Sequence, residues 1–156
     1  MFARDPLQDG RQSDRALFVR RGVQRCLRAL GYASLCELTL SSGRRVDVCG
    51  LHLDGRIAVV EVKSSLADLR ADLKWREYRA HCDRLYFATS PDVPADAFPA
   101  DAGLILADAY GADIAREAPE HRLTPAARRA VTLRFAHAAA DKLHRLADPG
   151  ACGLLL

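Results

Sequence analysis

From residue 14 onward the period of the hydrophobic positions changes several times, and each change marks an element. Ala16, Val19, Val23, Cys26, Leu27 and Leu30 recur at helical spacing, which predicts a helix over residues 14–30 stopped by Gly31. Three strands are expected next, over 32–40, 45–53 and 57–63. The last is the strongest, because Ile57-Ala58-Val59-Val60-Glu61-Val62 is rich in β-branched residues. Asp54-Gly55 between the second and third is a hairpin signal. Ser65 with Asp68 three residues later resembles a capping box opening a second helix, 66–80, with Leu66, Leu69, Leu73 and Ala80 on its buried stripe. Apolar runs at 84–89 and 103–108 read as buried strands, with a further short strand at 112–116 and a Pro-broken loop at 93–101. Thr124-Pro125 is a helix start, and Val131, Phe135, Ala139, Leu143 and Leu146 give that last helix an apolar face.

The expected order is therefore helix, three-strand meander, helix, strand, strand, helix, in one α/β domain over 14–147 with a mixed sheet flanked by helices. Residues 1–13 read as a flexible arm and 148–156 as a tail ending in Leu154-Leu155-Leu156. No apolar run reaches the roughly 18–20 residues of a membrane span, and the first residues lack the apolar core of a signal peptide. The five cysteines are scattered without a C-x-x-C pair. That argues for reduced thiols, a cytoplasmic location and no structural zinc. A net charge of +3 decides nothing about partners, although basic residues concentrate at both ends of the chain and acids between 85 and 120.

Composition adds one clue. Only three of the 23 basic residues are lysines, at positions 63, 74 and 142. In a chain that otherwise uses arginine, a retained lysine points to a role for a compact ammonium. Lys63 also sits two residues after Glu61, so both lie on one face of the third strand beside Ile57 and Val59. An apolar face that ends in two charged residues breaks simple patterning, and such breaks mark functional sites.

Asp47 on the second strand completes a candidate catalytic set of Asp47, Glu61 and Lys63. A two-residue loop at Asp54-Gly55 would pair Asp47 with Val62 and turn it to the wrong face. One extra residue, through a three-residue loop or a bulge, pairs Asp47 with Lys63 and brings the three groups together. The site thus requires an irregular hairpin. Two carboxylates on adjacent strands, with the Val62 carbonyl between Glu61 and Lys63, suit Mg²⁺ or Mn²⁺. Lys63 would orient or deprotonate the attacking water and stabilise charge on the scissile phosphate. Arg70, Lys74 and Tyr78, at i, i+4 and i+8 of the second helix, form a candidate nucleic-acid-binding stripe. Glu37 is read as a surface carboxylate ahead of an auxiliary metal or water ligand, and Trp75 and Cys82 as core.

Asp47 with Glu61-Val62-Lys63, in this order of elements, resembles the PD-(D/E)xK nuclease superfamily, with Val46 standing where the proline of that name belongs. More narrowly, the chain looks like the MmcB family of candidate DNA-repair endonucleases. The resemblance runs through Arg45-Val46-Asp47, Glu61-Val62-Lys63-Ser64-Ser65, Asp68, Arg70, Asp72, Lys74-Trp75 and Tyr78. It continues through Cys82-Asp83-Arg84-Leu85-Tyr86-Phe87-Ala88, Gly103-Leu104-Ile105 and Ala107-Asp108-Ala109-Tyr110-Gly111, covering about residues 14–146. It implies a restriction-endonuclease-like fold, a metal-dependent deoxyribonuclease acting on damaged or structured DNA, and no nucleotide cofactor. Many nucleases of this fold dimerise, so a homodimer stays open. Two rivals stay open too: a DNA-binding repair domain with a vestigial site, and an interaction domain without nucleic acid.

Overall fold

The computed structural model describes residues 13–150, so the expected arm, except Ser13, and the last six residues of the tail lie outside the described residues. Within them the order is α1 (Asp14–Ala29), β1 (Tyr32–Thr39), β2 (Arg45–His52), β3 (Ile57–Val62), α2 (Leu66–Ala71), a 3-10 segment (Trp75–His81), β4 (Arg84–Thr89), a short 3-10 turn (Ala95–Ala97), β5 (Gly103–Ala107), β6 (Ala112–Arg116) and α3 (Pro125–Ala147). The strands form one mixed sheet in sequential order β1-β2-β3-β4-β5-β6. β1 to β3 are an antiparallel meander, the β3–β4 and β4–β5 pairs are parallel, and β6 returns antiparallel to β5. This is the expected α/β architecture with a restriction-endonuclease-like core.

The caps explain where the helices begin. Ser13, Ser65 and Thr124 each accept a bond from the amide three residues on, and Pro125 occupies the first turn of α3 where a missing N–H costs nothing. α1 lays Val19, Val23 and Leu27 against Val48, Val60, Tyr86 and Ile105 on one sheet face. The other face packs Val59, Phe87 and Leu104 against Trp75, Tyr78, Val131 and Phe135. Trp75 stands edge-on to Phe87 with ring centroids 5.2 Å apart, and Cys82 is fully buried, so both are core residues.

Two expectations need correction. The second helix does not run to residue 80. It stops at Ala71, with Asp72 in extended backbone, and the chain resumes as a 3-10 segment at Trp75. Asp72 Oδ1 accepts the Lys74 amide at 3.0 Å, a local turn that competes with helix continuation. Leu73, expected in the buried stripe, is consequently 86% exposed. The apolar face of α3 also ends early. Val131 and Phe135 are buried, but Leu143 and Leu146 are exposed, and at that end Lys142 Nζ meets the sheet by donating to Cys36 O at 2.7 Å.

Candidate active site

The hairpin that joins β2 to β3 is irregular, as the site requires. Leu53, Asp54 and Gly55 form a three-residue loop, closed by Gly55 N donating to His52 O at 2.9 Å and His52 N to Arg56 O at 3.0 Å. Gly55 adopts φ +90°, a left-handed conformation that a side chain would strain. The resulting register pairs Val48 with Val60 and Leu51 with Ile57. Carried one step further, it sets Asp47 opposite Glu61, and not opposite Lys63 as the hairpin arithmetic predicts. Shortening the paired strands moves the register by two residues, which preserves the face and changes only the neighbour.

Around Asp47 the sheet opens on both sides. The β1–β2 register skips the Glu37–Asp47 position, where Glu37 has φ +58°, and the β2–β3 register stops at Val48–Val60. Alternation also slips there. Leu35 and Leu38 share one core cluster, as do Val46 and Cys49, although strict alternation would separate each pair. A non-glycine residue held left-handed is a strained backbone of the kind that gathers at functional sites.

The freed backbone groups are taken by the two carboxylates. Asp47 N donates to Glu61 Oε1 at 3.1 Å, and Val62 N donates to Asp47 Oδ2 at 2.8 Å. Each acid thus braces the other's strand. Glu61 is buried, and burial together with the neighbouring Asp47 charge pushes its carboxyl up to about 9. Burial also raises Asp47, against the Val62 amide and the Lys63 charge, which lower it. Lys63 lowers both carboxyls and the buried Arg20 lowers Asp47, but burial outweighs these positive charges.

Lys63 follows on the same face, 9% exposed. Its amide donates to Ala88 O at 2.9 Å and its carbonyl accepts from Thr89 Oγ1 at 2.7 Å, which ties the end of β3 to β4. Its ammonium lies 2.7 Å from Asp72 Oδ2. The break that ends α2 is what delivers Asp72 to this position, and sequence periodicity had no means of finding it. Asp72 before Leu73-Lys74 is a detectable turn signal, but helical spacing across residues 66–80 masks it.

The Arg70, Lys74 and Tyr78 stripe does not form, because the three positions no longer lie on one helix. Tyr78 is 8% exposed and its hydroxyl faces Arg45 O at 3.5 Å, so it cannot stack on a base. Arg70 and Lys74 are exposed. Glu37 is largely buried and lies 3.9 Å from Arg45, close enough to add to the charge on Asp47, so it belongs to the site's electrostatics and not to the open surface.

A model of the MmcB-like family, described as DNA repair protein MmcB-like, matches residues 3–150. The chain belongs to the MmcB-like family of DNA repair proteins. A solved structure of a protein of unknown function from Silicibacter pomeroyi is also similar, with 44% identity and a TM-score of 0.88 over 93% of this chain and 99% of that one. No curated protein matches the chain. Among the described residues of this MmcB-like protein no helix is long and apolar enough to cross a membrane.

As a cation site, the MmcB-like pair has the right donors. Two converging carboxylates with raised proton affinity suit a hard divalent ion. The N–H and C=O of a strand residue leave on the same side, so the Val62 carbonyl turns toward Asp47 as its amide does. Among the described residues no group of three or more His, Cys, Asp and Glu is placed to hold a metal ion by itself. An ion here would depend on that carbonyl, water and substrate oxygens for the remaining positions.

Proposed function

We propose that this chain is a metal-dependent DNA endonuclease of the PD-(D/E)xK type, hydrolysing phosphodiester bonds in DNA repair. The observation that carries the reading is the reciprocal bracing of Asp47 and Glu61 across an opened sheet, with Lys63 next on the same face. Such strain and buried charge have no structural benefit by themselves.

Asp47 and Glu61, with the Val62 carbonyl, would hold Mg²⁺ or Mn²⁺. The bound ion would supply Lewis acidity, lowering the pKa of a coordinated water and drawing charge from the phosphate. The residues of the chain do the rest. Glu61 and Asp47 keep each other in place through their backbone bonds. Lys63 presents its ammonium to the water and the phosphate oxygens, and Asp72 fixes where that ammonium points. Arg70 and Lys74, exposed just after the site in sequence, would meet flanking phosphates.

Cleavage of single-stranded, branched and abasic DNA with Mg²⁺ or Mn²⁺ tests this. Wild type should cut at least one of them and Lys63→Ala should not. A wild type that cuts none, or a Lys63→Ala variant that cuts equally well, overturns it. The second reading, a DNA-binding accessory domain with a vestigial site, is favoured by the absence of a third converging acid among the described residues. It predicts DNA binding without cleavage and no Mn²⁺ uptake by calorimetry.

A further inference from the structure

Away from the carboxylates, a cavity of about 660 Å³ opens between α1 and the start of β1. Its lining comprises Arg21, Gln24, Arg25 and Arg28 from the helix, and Gly31, Tyr32, Ala33 and Ser34 from the turn and strand. The arginines fall at i, i+4 and i+7, one face of α1, and among the described residues none that line the cavity is acidic. Arg25 and Arg28 are exposed. Arg25 is steadied by one bond, Nη1 to Tyr110 O at 2.9 Å, which leaves its other N–H groups directed elsewhere. Gln24 Nε2 donates to Ser34 Oγ at 3.2 Å across the cavity wall, so helix and strand are fixed relative to each other.

This arrangement is unlike a solvated helix face. α1 buries Val19, Val23 and Leu27 on the sheet, and the arginines line a concave surface beside that contact. Arg25 and Arg28 bring two exposed guanidinium groups to one edge of this recess, and guanidinium groups match phosphate by paired N–H donors. The cavity lies on the α1 side of the sheet at the Tyr32–His52 end of β1–β2, away from Asp47.

We propose that the Arg21–Arg25–Arg28 cavity binds the phosphate backbone of DNA at a distance from the carboxylate site. The inference rests on the reading of this chain as a DNA-acting protein but not on cleavage, since the cavity contains none of the catalytic residues.

The test is anisotropy of a labelled 20-nucleotide strand and its duplex, in EDTA, across a salt series. Arg25→Ala/Arg28→Ala should weaken binding on the order of tenfold and reduce the log–log salt slope by about 2, one unit per lost phosphate contact. Arg25→Lys/Arg28→Lys should keep the slope. Thermal melting of each variant controls for folding, and both side chains are exposed. An unchanged affinity and slope in the alanine variant overturns the proposal. So does competition by inorganic phosphate as effective, per phosphate, as by the oligonucleotide, which marks a small-anion pocket. The nuclease reading fails separately: wild-type protein that binds with this slope yet cuts nothing with Mn²⁺ loses the cleavage and keeps the cavity.

Discussion

At the Ile57 end of β3, Asp83 accepts the Ile57 and Leu123 amides at 2.8 and 2.9 Å and both Arg128 terminal nitrogens at 2.6 and 2.7 Å. At the Val62 end of the same strand, Asp47 and Glu61 face each other with one amide apiece. The chemical groups are alike and their situations are opposite. Burial pushes the Asp83 carboxyl up, but Arg128 and the two amides outweigh it and hold it at about 2. Glu61 has no such partner and rises to about 9. A carboxylate with its donors supplied locks two loops and α3 onto the sheet. At the other end burial outweighs the donors, and in the proposed nuclease a cation would make up the difference.

The largest expected effect on this contrast comes at the poorly supplied end. Lys63→Ala should lower DNA cleavage by about 10³-fold, on the order of 4 kcal/mol of transition-state stabilisation, with DNA affinity retained. Single-turnover kinetics beside anisotropy would read both.

At the well-supplied end, Asp83→Ala should destabilise the fold by about 3 kcal/mol, because Arg128 and two buried amides lose their acceptor together. Urea denaturation measures this. A loss below about 1 kcal/mol would mean that the bonds at this end contribute little and that the contrast is overstated.

Asp72→Asn comes next. It keeps the turn acceptor for the Lys74 amide and removes the charge facing Lys63. Cleavage should fall by about 10- to 100-fold with melting temperature nearly unchanged, the signature of a positioning residue.

The smallest effect is on pH dependence. The folded Glu61 carboxyl keeps its proton to about 9, whereas an ordinary one releases it near 4.5. The folded state binds more protons throughout that interval, so metal-free stability should decline as pH rises across it. Glu61→Gln should flatten the decline and raise metal-free stability at pH 8. Asp83 acts in the opposite sense: its depressed carboxyl stabilises the fold above its ordinary 3.8 and loses that contribution as pH falls toward 2. Calorimetry from pH 3 to 9 separates the two ends, and a flat profile above pH 5 would remove Glu61 from the account.

Much of this was legible in the sequence, because it is local. Helix starts at Ser65 and Thr124 follow from side chains that reach the amide three residues away. The strands follow from β-branched runs, and the shared face of Glu61 and Lys63 follows from period two. The requirement for an irregular hairpin was arithmetic. The register that resulted was not, since Asp54-Gly55 serves loops of two or three residues and only packing of the flanking strands chooses between them.

What the sequence by itself determined, then, is the order of elements, the two-sided core and the identity of the charged residues placed on an apolar face. Only the tertiary structure decided which of them meet. Asp72 reaches Lys63 because α2 stops at a side-chain turn and Trp75 must dock on Phe87, a contact between residues from separate elements. Tyr78 is buried for the same reason. Glu37 takes its left-handed backbone only because β1 and β2 open together around Asp47. Periodicity fixes where a side chain points along its own element. Burial and charge depend on what other elements bring to it.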